Sequence, residues 1–63
     1  MPIIQVHLKA GRTVEQKRKM VSAVTDAVVK TLSVPPDAVR IIIKDMAKED
    51  YAVAGVLDAD SKK

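Results

Sequence analysis

Residues 3–9, Ile3-Ile4-Gln5-Val6-His7-Leu8-Lys9, alternate in a way that fixes the first element of the fold. Ile4, Val6 and Leu8 fall on one face of an extended chain, while Ile3, Gln5, His7 and Lys9 fall on the other. This is a strand pattern, ended by Ala10-Gly11-Arg12. Thr13, followed three residues later by Gln16, is a capping box that opens a helix. From Val14 to about Leu32 the apolar residues Met20, Val21, Val24, Ala27, Val28 and Leu32 recur at spacings of three and four, which predicts one apolar stripe on a helix of about five turns. Ser33-Val34-Pro35-Pro36-Asp37 ends it, because proline lacks the N–H and drives the residue before it toward extended geometry. The β-branched run Val39-Arg40-Ile41-Ile42-Ile43-Lys44 predicts a second strand. Strand, helix, strand defines an α/β architecture: a β-α-β unit with two parallel strands and a right-handed crossover.

Beyond Lys44 the pattern weakens. Lys48-Glu49-Asp50 reads as a turn, Tyr51-Ala52-Val53-Ala54 as a short apolar segment broken at Gly55, and the whole tail as a small C-terminal hairpin or arm. No repeat, linker or low-complexity segment divides the chain, so residues 1–63 are expected to form a single domain. A domain of this length buries only about 60% of the surface that its unfolded chain exposes. Small domains make up the deficit with disulfides, metals or oligomerisation. With no cysteine and one histidine, the first two routes are not expected, and oligomerisation is left. Counting faces leads to the same expectation: one helix covers one side of a two-stranded sheet and leaves Ile3 and Ile42 on the other.

The absence of cysteine and of any long apolar run predicts a cytoplasmic protein with no membrane span. Eleven basic residues against eight acidic ones give a net charge of +3, which fits nucleic acid or small anions. Nucleic acid is disfavoured, because Tyr51 is the only aromatic residue and no stacking platform can be built from it. Lys17-Arg18-Lys19 reads as a solvated helix face.

Four features could carry chemistry. Pro2 directly follows Met1, so removal of Met1 would expose a secondary amine able to act as a base; proline is equally compatible with simply starting a strand. A cation or an apolar wall beside such an amine disfavours its charged form. Arg12 and Arg40 could grip two carboxylates with bidentate forks, a geometry lysine does not reproduce, or both could be solvated surface charges. Tyr51 with Ala52 and Val53 could wall an apolar pocket or pack in a subunit contact. His7 is expected to pack at an interface on the sheet face opposite the helix. Asp37, Asp45, Glu49 and Asp50 form no acid/base pair and read as surface residues.

Taken together, Pro2-Ile3, Gly11-Arg12, Glu15-Gln16-Lys17, Val39-Arg40, Met46-Ala47-Lys48 and Tyr51-Ala52-Val53-Ala54-Gly55 resemble the 4-oxalocrotonate tautomerase family over essentially the whole chain. The resemblance implies a β-α-β subunit, commonly assembled as a hexamer (a trimer of dimers), with Met1 removed. It implies a cofactor-free isomerase in which Pro2 is the general base. Arg12 would bind the distal carboxylate of a small dicarboxylate, and Arg40 the carboxylate and oxygen beside the reacting carbons. Lys9 would contact substrate through its backbone N–H, and Tyr51 would form the apolar wall. The sequence departs from the family where Tyr51 stands in place of phenylalanine and where Ala52-Val53-Ala54-Gly55 replaces a glycine-rich run. The implied reaction is tautomerisation of 2-hydroxy-dienoates or 2-oxo-enoates such as 2-hydroxymuconate. Phenylpyruvate tautomerisation, haloacrylate dehalogenation and a scaffold with no turnover are the alternatives.

Overall fold

The computed structural model describes residues 1–61. Strand β1 (Ile3–Lys9), helix α1 (Val14–Leu32) and strand β2 (Arg40–Met46) follow in order, and β1 pairs with β2 in parallel from Ile3↔Arg40 to Lys9↔Met46. The second strand begins one residue later and runs two residues further than the β-branched run predicts. Val39 is held by a 3-10 turn over Pro36–Ala38, its N–H donating to the Pro36 carbonyl at 3.1 Å. Asp45 and Met46 are drawn in because β1 supplies partners as far as Lys9.

Both ends of α1 follow local chemistry. The Thr13 hydroxyl accepts from the Gln16 N–H at 3.1 Å while the Gln16 side chain accepts from the Thr13 N–H at 3.0 Å, which satisfies two donors that the helix leaves open. At the other end Ser33 adopts the left-handed conformation (φ 57°), and its N–H closes on the Val29 carbonyl at 3.1 Å. Met20, Val21, Val24, Val28 and Val29 of the helix are half-buried, as are Ile4, Val6 and Leu8 of β1 and Ile41 and Ile43 of β2. Ala27 and Leu32, expected on that stripe, are exposed. A helix of 19 residues is about 28 Å long while a strand of seven spans about 23 Å, so the helix overruns the sheet and leaves Val14 and Leu32 beyond its ends.

The tail forms the expected hairpin. A 3-10 turn over Lys48–Asp50 leads to β3 (Ala52–Val53) and β4 (Val56–Leu57), paired antiparallel, with a further 3-10 turn at Asp58–Asp60. Ala54 and Gly55 both have positive φ (54° and 83°), the backbone of a tight hairpin turn whose twist matches that of the strands.

None of the described residues is fully buried. The radius of gyration is 14.9 Å, whereas a compact chain of this length has one of roughly 11 Å. Accessible surface is 5025 Å² against roughly 4000 Å² for a folded monomer of this mass. The open face of the sheet presents Ile3 (56% exposed) and Ile42 (43% exposed) as the face count predicts. No described helix is long and apolar enough to cross a membrane.

Candidate active site

The candidate residues lie at two ends of the sheet. Pro2 sits at the start, where its carbonyl accepts the Arg40 N–H at 3.0 Å, the first rung of the parallel ladder. That bond sets the backbone of Pro2, just before β1, beside that of Arg40 at the start of β2. The Arg40 guanidinium is tethered as well: Nη1 donates to the Asp37 carbonyl at 2.7 Å, an anchor the 3-10 turn supplies by turning that carbonyl toward the strand start. Pro2 is half-buried, beneath an exposed Met1.

Lys9, Arg12 and Tyr51 lie at the opposite end. Seven strand residues separate the two groups, about 23 Å along β1, more than a six-carbon dicarboxylate can span. The chain therefore places the candidates in two separate groups: Pro2 with Arg40, and Lys9 with Arg12 and Tyr51.

The far end contains two clefts. One, of about 240 Å³, is lined by Leu8, Arg12, Gln16, Lys17 and Met20, so Arg12 faces it from the loop after β1 while the helix supplies the opposite wall. Lys17 is anchored there by an ion pair of 2.7 Å from its Nζ to Asp45 Oδ2 on β2. Lys17 is thus no freely solvated member of the basic run, while Asp45 is the surface residue the sequence predicts, here paired with Lys17. The second cleft, of about 300 Å³, is lined by Lys9, Tyr51, Val53, Val56, Asp58 and Ser61. Tyr51 stands in its wall beside two valines, and the Lys9 ammonium lies 5.2 Å from the ring centroid and 3.1 Å from Asp58 Oδ1.

The phase of the ladder orients the Lys9 backbone. With Arg40 donating to Pro2 at one end and Ala10 donating to Met46 (2.8 Å) at the other, the even-numbered residues of β1 face β2. The N–H groups of Ile3, Gln5, His7 and Lys9 point to the free edge. His7 is exposed on the open face of the sheet and has no side-chain hydrogen bond among the described residues.

Sequence reasoning missed Asp58 and the Asp37 carbonyl. Asp58 lies 49 residues from its partner, so no local spacing marks it. Only the hairpin that returns the tail to the end of β1 could have found it.

A two-stranded parallel sheet with one crossover helix is the fold this chain shares with solved 4-oxalocrotonate tautomerase homologues. The family model described as tautomerase enzyme matches residues 2–60, and the chain belongs to that family. A probable tautomerase from Lactiplantibacillus plantarum is 42% identical over 62 residues, covering 98% of this chain and 97% of that protein. Among solved structures, a 4-oxalocrotonate tautomerase isozyme from Methylibium petroleiphilum superposes with a TM-score of 0.89 at 57% identity, covering 92% of this chain and 91% of that one. A heterohexamer 4-oxalocrotonate tautomerase from Chloroflexus aurantiacus superposes with a TM-score of 0.90 at 27% identity, covering 98% and 100%.

Proposed function

We propose that this protein is a cofactor-independent tautomerase that moves a proton within small 2-hydroxy-dienoates or 2-oxo-enoates, 2-hydroxymuconate among them. The observation that carries this reading is the ladder bond that sets Pro2 beside Arg40 at the open start of the sheet. Once Met1 is removed, the Pro2 nitrogen is a secondary amine at the start of the ladder, on the residue whose carbonyl accepts from Arg40. A cation or an apolar wall brought beside such an amine disfavours its protonated form and so favours the base form. In this mechanism the unprotonated amine of Pro2 takes a proton from the bound enol. It returns that proton to a carbon further along the conjugated chain, so the substrate is isomerised and the amine regenerated. Arg40 donates hydrogen bonds to the carboxylate and to the oxygen on which negative charge develops, where fixed donors lower the barrier most. Arg12 holds the distal carboxylate, Tyr51 walls the apolar segment between the two, and the outward N–H of Lys9 is a further donor.

This division of labour requires more than one copy of the chain, because the two sets lie too far apart within one protomer. An excess of roughly 1000 Å² of accessible surface is comparable with the ~800 Å² that each partner contributes to a standard interface. The unpaired edge of β1 and the open sheet face bearing Ile3 and Ile42 are the surfaces a partner would cover. A hexamer built as a trimer of dimers would bring the far end of one subunit against the Pro2 end of another.

The test is the ultraviolet-monitored ketonisation of 2-hydroxymuconate by protein whose intact mass shows that Met1 is gone. Turnover well above buffer is expected. A verified free proline with no turnover on this or related 2-oxo-enoates would sink the proposal.

A further inference from the structure

The Lys9 side chain has no part in the mechanism proposed above, yet it makes an unusually connected contact. Its ammonium donates to Asp58 Oδ1 at 3.1 Å and lies 5.2 Å from the centroid of the Tyr51 ring. An ammonium has three donors, so one can serve the carboxylate while another faces the negative face of the ring. Asp58 in turn is fixed at three points. Its N–H donates to the Tyr51 carbonyl at 2.8 Å, its own carbonyl accepts from Ser61 at 3.2 Å, and its carboxylate holds Lys9. The Asp58 side chain is only 17% exposed, while that of Lys9 is 54% exposed. Among the described residues, Lys9 to Asp58 is the single side-chain hydrogen bond that ties residues 51–61 to the rest of the chain.

We infer that Lys9, Tyr51 and Asp58 form a latch that docks the C-terminal hairpin onto the end of β1, with Asp58 as the positioning residue that holds the Lys9 ammonium against the Tyr51 ring. The latch sets where the apolar wall stands. It also neutralises Lys9, so that substrate carboxylates are left to the two arginines rather than drawn to a third cation at the wall. The effect on turnover rests on the proposed tautomerase reading; the effect on the ring does not.

Tyr51 is the only aromatic residue of the chain, so the near-ultraviolet circular dichroism of the assembled full-length protein reports this ring alone. Asp58→Asn and Lys9→Met are each expected to cut the tyrosine band at least by half with the far-ultraviolet spectrum unchanged. Asp58→Glu and Lys9→Arg keep it, and the double variant Lys9→Met/Asp58→Asn loses no more than either single change. A full band in both folded single variants overturns the latch. Should those variants fail to fold, wild-type protein decides the matter alone. Nuclear Overhauser contacts between the Lys9 side-chain methylenes and the Tyr51 ring protons are expected in it, and their absence overturns the inference. Where the wild type turns over 2-hydroxymuconate, Asp58→Asn lowers kcat/KM on the order of tenfold through a shifted wall and Asp58→Glu restores it. A wild type without turnover sinks the proposed function and leaves the tyrosine band to judge the latch.

Discussion

The Arg40 N–H donates to the Pro2 carbonyl across 3.0 Å, so the two residues that open the parallel ladder are also the proposed base and the proposed oxyanion donor. The bond uses the carbonyl of Pro2 and leaves its nitrogen outside the ladder. Structure and chemistry are thus divided between two ends of one residue. The carbonyl holds the strand, and in the proposed mechanism the nitrogen, once Met1 is removed, carries the proton.

Pro2→Ala separates those roles. Alanine keeps the carbonyl and the ladder bond, so assembly and far-ultraviolet signal should match the wild type. The secondary amine becomes a more flexible primary one on a different residue, and kcat should fall by roughly 10²–10⁴-fold, the range ascribed to a positioned general base. Steady-state rates beside sedimentation of the same samples check both halves. Equal rates in the two proteins would remove Pro2 from the mechanism.

The two arginines should fail differently. Arg40→Ala removes donors at the developing oxygen charge and is expected to lower kcat, by roughly 10²–10³-fold for the loss of one such donor site. Arg12→Ala removes a grip on the distal carboxylate and is expected to raise KM with a smaller effect on kcat. A 2-oxo-enoate without a distal carboxylate should be nearly indifferent to Arg12→Ala. Arg40→Lys should rescue little, because an ammonium is not a fork that can bond the Asp37 carbonyl and a carboxylate in one plane.

The sheet and helix were legible because their signals are local. The alternation of residues 3–9 and the Thr13/Gln16 capping box act within a few residues, and each appears where the pattern places it. The edges of β2 were less so, since they depend on the turn at Pro36–Ala38 and on how far β1 reaches, both non-local facts. Leu32 shows the same limit: its spacing is helical, but its burial depends on the length of the sheet beneath it. Pro2, Arg12, Arg40 and Tyr51 are candidates the sequence offers, whereas their separation into two ends of one chain could not be read from it. Asp58 was invisible, because an ion pair across 49 residues has no periodicity.

Covering the open sheet face should be a condition of folding as well as of catalysis. Ile42→Glu places a carboxylate where a partner's apolar surface is expected, and desolvating that charge without a counter-ion is costly. Since none of the described residues is buried in the lone protomer, the variant has little core of its own to fall back on. Sedimentation should show loss of the assembly, and circular dichroism at equal protein concentration should show a lower, concentration-dependent Tm. An intact oligomer with unchanged Tm would place the interface elsewhere.

The hairpin turn offers a test of local backbone strain. Ala54 sits at φ 54°, a conformation that costs an L-residue with a Cβ roughly 1–2 kcal/mol, while Gly55 at φ 83° bears no such cost. A Cβ added at Gly55 would meet nothing within 4 Å, so the Cβ of Gly55→Val brings no clash within the chain and the positive φ is the cost to expect. Asn-Gly is the preferred pair for a turn with two positive φ values, and Ala54→Asn should therefore raise Tm by a few degrees. Gly55→Val should lower it by more, because a β-branched side chain is least tolerant of that region. The hairpin carries Tyr51, so the near-ultraviolet tyrosine band should sharpen in the first variant and fade in the second. Thermal melts at matched concentration decide the outcome: if Gly55→Val proves as stable as the wild type, the turn is not held in this conformation in solution.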